Sequence, residues 1–243
     1  MHPALAKFLL VAAPGLIALA LMAGSMSTSS SLSAASTPQF DPNNFVSVVD
    51  NPFFPLDPGT TYFYEGQEDG IPTSTVTEVT HDTKPILGVT ATVVHDVASV
   101  DGVPVEETFD WYAQDKQGNV WYLGEDSREL DEFGNVIGTA GSWEAGVDGA
   151  EAGIIMLADP KKGDRYRQEF AAGVAEDTAQ VVGLAEDVCV PYDCFDGLLL
   201  TKEWTPLDRG VVDNKYYAEG VGFIFSETAK GGTETLELVA ITH

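Results

Sequence analysis

Carboxylates set beside aromatic rings are the residues of this chain that come nearest to a chemical apparatus. Glu107, Asp110, Glu203 next to Trp204, and Glu219 all fall in segments rich in Tyr, Trp and Phe. Two carboxylates held at a fixed separation, with Tyr112, Tyr122 and Trp204 as a stacking floor, would suit hydrolysis of a glycosidic bond. With 38 acidic residues in the chain, however, such neighbours arise by number alone, and no catalytic residue is assigned. The sequence contains no nucleophile elbow, P-loop, dinucleotide-binding glycine pattern, H-E-x-x-H or EF-hand loop. His81 and His95 sit near neighbouring strands but are not placed opposite each other by simple pairing. Oxygen-rich turns offer calcium a place, first Asp131-Glu132 with Asn135, then Asp187, Asp193 and Asp196. None has a specific ligand spacing, so Ca2+ is the one cofactor kept open.

Cations are scarce, which singles out Arg165 and Arg167. In GDRYRQEF they alternate with Tyr166, so on a strand both point the same way. They would either clamp an anionic ligand group or pair with neighbouring acids, and the acids are the more numerous partners. Cys189 and Cys194 enclose Val-Pro-Tyr-Asp. In an exported protein, so close a pair is expected to be a disulfide clipping a tight turn, worth about 2 kcal/mol.

Any such site needs a scaffold, and the clearest scaffold is the stretch Thr108 to Leu130. Two aromatic-rich segments flank Asp115-Lys116-Gln117-Gly118-Asn119, the composition of a type I turn closed by a left-handed glycine. Pairing Asp115 with Asn119 puts Ala113 opposite Trp121, Trp111 opposite Leu123 and Tyr112 opposite Tyr122. Phe109, Trp111, Ala113, Trp121 and Leu123 then form a dry core face. Asp110, Tyr112, Gln114, Val120 and Tyr122 form an amphipathic face suited to a wet groove.

Strand-like segments continue on both sides. Thr61–Gly66, Ser74–Thr80 and Val89–Val97 precede the hairpin, the last two joined by a turn over Asp82–Gly88. Phe53-Phe54-Pro55-Leu56 reads as an apolar plug over the sheet edge. After the hairpin, Gly138–Gly163 is expected as a long structured loop with one helical turn near Ala150–Met156, and Trp143 lies within it. Tyr166–Ala172 and Ala175–Leu184 are read as strands. Four more follow: Phe195–Thr205, Val211–Ala218, Val221–Thr228 and Thr233–Ile241. Pairing Ala229 with Thr233 puts Ile224, Leu236 and Leu238 on one face and Phe223 with Phe225 on the other. Both faces are apolar, so the second must meet other protein or a ligand. Regular strand spacing without amphipathic helices indicates an antiparallel meander rather than βαβ units.

Composition sets the setting. The net charge is −26, and every basic residue except Lys7 lies past residue 38, together with every acidic one. Such a chain repels phosphate backbones, which excludes nucleic acid as a partner and disfavours anionic membranes. Lys7, the apolar run Phe8–Met22 and the small residues Ala23-Gly24-Ser25 read as a secretory signal peptide. It spans 1–25, with cleavage after Ser25 or Ala35, and residues 26–37 form a low-complexity spacer. The apolar run is short for a membrane span, so no stable insertion is expected after cleavage.

FDWYAQDKQGNVWYLGE, GSWEAGVDGAEAGIIM, KKGDRYRQEF and YYAEGVGFIFSE resemble a group of uncharacterised secreted bacterial all-β proteins. The resemblance covers the chain from about Asn51 onward and implies no catalytic residues. Tyr216-Tyr217-Ala218-Glu219-Gly220-Val221-Gly222 is also similar to a late-strand motif of periplasmic lipoprotein-carrier half-barrels. That likeness implies a curved sheet with an apolar concave face.

The expectation is therefore one all-β domain over residues 38–243. It is a single large curved antiparallel sheet, half-barrel or barrel-like, with one long loop or short helix inserted. In a secreted, periplasmic or cell-envelope setting it would hold a small apolar or amphipathic ligand without catalysis. Tyr112, Tyr122, Trp143, Phe223, Phe225, Arg165 and Arg167 are the expected ligand contacts. A calcium-stabilised or protein-interaction module, and a carboxylate-dependent hydrolase, are the alternatives. Oligomeric state is not legible.

Overall fold

The computed structural model describes residues 39–243, and the expected signal peptide and spacer lie outside them. Within that span the chain is almost entirely strand. One short pair opens it, β1 (Asp50–Asn51) with β2 (Phe54–Pro55). Then come β3 (Thr61–Glu68), β4 (Ile71–Ile86), β5 (Val89–Val100), β6 (Val103–Gln114) and β7 (Val120–Leu130). The middle of the chain supplies β8 (Val136–Gly138), β9 (Trp143–Glu144), β10 (Glu151–Met156), β11 (Arg165–Arg167) and β12 (Glu169–Phe170). The rest is β13 (Thr178–Cys189), β14 (Cys194–Trp204), β15 (Val212–Ala218), β16 (Gly222–Lys230) and β17 (Thr235–Thr242).

All but the first pair form one antiparallel sheet, ordered β11-β13-β14-β15-β16-β17-β3-β4-β5-β6-β7-β10-β12, with β8 and β9 also on β7. The two edge strands are consecutive in sequence. Arg165–Arg167 pairs with β13, and one residue later Glu169–Phe170 pairs with β10. A single extended stretch thus straddles both edges and nearly closes the sheet into a barrel with one seam. Gly153 makes that approach possible. A Cβ there would lie 2.1 Å from the Gln168 carbonyl oxygen.

The central hairpin has the predicted register, Gln114 with Val120, Ala113 with Trp121 and Tyr112 with Tyr122. Gly118 takes φ +96°, and the Asp115 carboxylate accepts from the Gln117 and Asn119 amides and the Trp121 indole. The roles of its two faces are different from those expected. The Tyr112/Tyr122 face is the barrel's inner face, with both rings almost completely buried. The Trp111/Trp121 face is the outer one, covered by other parts of the chain. Phe40 and Phe45 pack on Trp121, and the Lys84 ammonium sits 3.1 Å from the Trp111 ring centroid. A sheet closing on itself must bury the tyrosines, whatever the polarity of their tips.

Three further expectations are corrected. The strand Ser74–Thr80 does not end in a turn at Asp82. It passes through a bulge between Val79 and Thr83 and runs on to Ile86, turning at Leu87-Gly88. The helical turn expected near Ala150–Met156 is instead β10, whose β-branched Ile154 and Ile155 pack into the core. A bulge in β16 sets Phe223 opposite Tyr217 and Phe225 opposite Tyr216, so the two phenylalanines face opposite sides. Cys189 and Cys194 form a disulfide at the tip of the β13–β14 hairpin.

Candidate functional site

One end of the barrel carries an apolar cleft. The lead-in chain crosses the rim there. Asn51 donates to the Gly118 and Leu157 carbonyls, and the Gly220 amide donates to the Pro52 carbonyl. Between these anchors Phe53–Leu56 folds inward as the predicted plug, with Phe54 ring-to-ring on Tyr112 at 5.1 Å. Beneath the plug lie Tyr62 and Tyr64 of β3, Thr77 and Val79 of β4, Val94 and Asp96 of β5, Tyr112 of β6, and Val221–Phe223. Together with Phe54–Leu56 they bound a narrow cleft of about 60 Å3, open to solvent on one side. Asp96 is the only charged residue in that wall. Tyr64 donates to the Phe223 carbonyl at 3.1 Å, which ties the two walls together.

Behind Asp96 lies a group of buried acids. Cross-strand pairing aligns Thr77 with Asp96, Val94 with Asp110, and Asp110 with Glu125. Asp96 accepts from the Thr77 hydroxyl and is hydrogen-bonded to the carboxyl of Asp110, which accepts from Tyr122. Glu169, carried in by the seam strand β12, accepts from the Trp143 indole at 3.1 Å. Neither oxygen of Glu125 has a hydrogen-bond partner, although the residue is only 1% exposed. Burial raises the pKa of Asp96, Asp110 and Glu125, with Asp110 and Glu125 held well above the carboxylate range. Burial raises both aspartates, and the hydrogen bond between them favours the proton on Asp110 over Asp96. Chemically, the pair can store a proton or present one buried negative charge to the cleft.

The other half of the inner face is built differently. Lys215 is 6% exposed and lies 3.0 Å from Glu203, which also accepts from Thr201 and Tyr217. Asp213, bonded by Thr228, and Asp177 stand close by. Burial lifts Asp177 to about 6, and burial with repulsion from Glu68 lifts nearby Glu234 to about 8. Burial alone would lower the Lys215 pKa, but the negative field of Glu203, Asp213 and Asp177 and the hydrogen bond to Glu203 outweigh it, and the pKa is raised.

Of the expected ligand contacts, the fold brings four together. Tyr112 stacks on Tyr122 at 4.8 Å, Tyr122 meets Trp143 edge-on at 5.3 Å, and Phe223 faces Tyr64 at 5.3 Å. The other three lie elsewhere. Phe225 packs on Tyr216. Arg165 lies over Trp204, and Arg167 lies over Phe170 and pairs with Glu151. Glu107 is bonded to His95 and Arg128, away from Asp110's cluster. The Asp131 carboxylate accepts from the Phe133 and Asn135 amides and the Asn135 side chain, closing its own turn; Glu132 is exposed in that turn. Asp187, Asp196 and Glu219 border a shallow depression beside the disulfide. Among the described residues no three His, Cys, Asp or Glu side chains converge as a metal site.

Asp96, Glu125, Glu169 and Lys215 were not singled out from sequence. Asp96 had a readable signal. In VTATVVHDVAS it takes the inward phase shared by Val94 and Ala98, where a charge is out of place.

No protein-family model and no curated protein matches the chain. Two solved structures are similar to it. A protein described as exported, with YmcC-like fold, from Bacteroides fragilis shares 16% identity at a TM-score of 0.47. A protein described as a lipoprotein from Parabacteroides distasonis shares 11% identity at a TM-score of 0.39. Each alignment covers 79% of this chain and 99% of the other.

Proposed function

We propose that the chain is an exported, non-catalytic binding protein that holds an apolar or amphipathic molecule in the plugged cleft. One observation carries this reading: an open cleft on the inner face, walled by Tyr62, Tyr64, Tyr112, Phe223 and Phe54, with a single charged residue. Burial of ligand surface supplies the affinity, and Thr77–Asp96 supplies the orientation. The signal-like leader supports export to the periplasm, envelope or medium.

Titration with an apolar dye that brightens on desolvation tests it. Saturable one-to-one binding is expected. Val221→Trp, which places an indole in the cleft, should abolish binding without lowering the melting temperature. Absence of saturable binding by the unaltered protein would sink the reading.

A further inference from the structure

Among the described residues no lysine or arginine pairs with Asp96, Asp110 or Glu125. Between Thr61 and Leu130 the only basic residues besides histidine are Lys84, Lys116 and Arg128, and each is engaged away from the inner face. Lys84 pairs with Glu144 over Trp111, Lys116 donates to the Asn43 carbonyl, and Arg128 pairs with Glu107 and Asp126. Elsewhere in the same barrel a buried carboxylate is matched by a buried lysine, Glu203 by Lys215. Asp96 has the Thr77 hydroxyl and the Asp110 carboxyl as hydrogen-bond partners, neither of which brings a positive charge. Beside it Glu125, 1% exposed and opposite Asp110, has no hydrogen-bond partner for either oxygen. A buried carboxylate of this kind ionises favourably when a positive charge is brought to it.

We infer that the molecule held in the cleft is a cationic amphiphile, a protonated amine on an apolar chain, with its ammonium group seated at Asp96. This rests on the binding reading above and adds the chemistry of the head group. The apolar body lies against Tyr64, Tyr112 and Phe223, and the ammonium group donates to the Asp96 carboxylate at the cleft's polar end. A carboxylate or phosphate head is repelled by the same acids.

The test uses octylamine, 1-octanol and octanoate, equal in chain length, titrated into the mature protein by calorimetry. About 0.5 M salt suppresses loose attraction of amines to the acidic surface. Octylamine should bind one-to-one, about tenfold or more tighter than octanol, with octanoate weakest. In Asp96→Asn, checked for folding by near-UV circular dichroism, the amine's advantage should fall below about twofold. Should that variant not fold, the ranking in the unaltered protein decides. Amine binding no tighter than alcohol binding would overturn the head-group assignment and leave the cleft reading standing. An amine preference that survives Asp96→Asn would overturn the seat at Asp96. No binding by any of the three would overturn both.

Discussion

The inner face of the barrel solves one electrostatic problem in two ways. On β13–β15 a buried carboxylate, Glu203, is matched by a buried lysine and two hydroxyl donors. On β5–β7 the buried aspartates Asp96 and Asp110 accept from neutral donors, Thr77 and Tyr122. The first arrangement carries its own countercharge. In the second, burial favours the protonated carboxyls, and the group stands beside the aromatic cleft. A protein that needed both regions only for packing had the Lys215 arrangement available for each. Under the binding reading proposed above, the β5–β7 side is the functional one.

The largest break in this comparison is Lys215→Met. It leaves Glu203 buried without its cation, and unfolding in urea should show a loss of about 3–5 kcal/mol. Adding Glu203→Gln should recover a large part of that loss. Recovery of nothing would mean that the lysine acts through packing alone.

The two regions should also respond to pH in different windows, although both contributions are lost as pH rises. Asp96, Asp110 and Glu125 have raised folded-state pKa values, so the unfolded chain ionises first as pH rises. Their contribution is greatest below the unfolded carboxylate value of about 4 and is lost progressively above it. Lys215 also has a raised pKa, so its contribution is intact below about 10.5 and is lost only as pH passes its folded value. Glu125→Gln should therefore flatten the decline in melting temperature between pH 5 and 9, measured by thermal scans at about one-unit steps. An unchanged slope would show that Glu125 does not take part.

A smaller and sharper contrast pairs two tyrosines. Tyr122→Phe removes a donor from Asp110, which has no cation beside it, and should cost about 2 kcal/mol. Tyr217→Phe removes one of several partners of Glu203 and should cost about 1 kcal/mol or less. Equal losses in denaturant would erase the distinction between the regions.

Strand order and hairpin register were legible because period-two alternation and turn chemistry are local. Asp115 with Gly118, and Ala229 with Thr233, locate their turns without reference to the rest of the molecule. Which face is inside is a property of the closed sheet. Tyr112 and Tyr122 therefore read as a wet face and are fully buried. Bulges were invisible for a related reason, because one extra residue at Ile224 separates Phe223 from Phe225 without altering the apolar pattern. Of the site, the rings were readable and the acids mostly were not. Asp110 was noticed for its aromatic neighbours, whereas Glu125 and Glu169 reach it only through pairing across β6–β7 and closure at β12.

That closure has a kinetic consequence. Most neighbouring strands are hairpin partners, and such pairs form early because their loops are short. Two pairings are less local: Tyr64 with Leu238, where β3 meets β17, and Tyr122 with Gly153, where β7 meets β10. Each half of the molecule can be assembled before either is made. The β3–β17 pairing, with the highest loop-closure entropy, is then the step that limits the folding rate. Substitutions at Leu236 or Leu238 should slow refolding, whereas those at the seam should mainly speed unfolding.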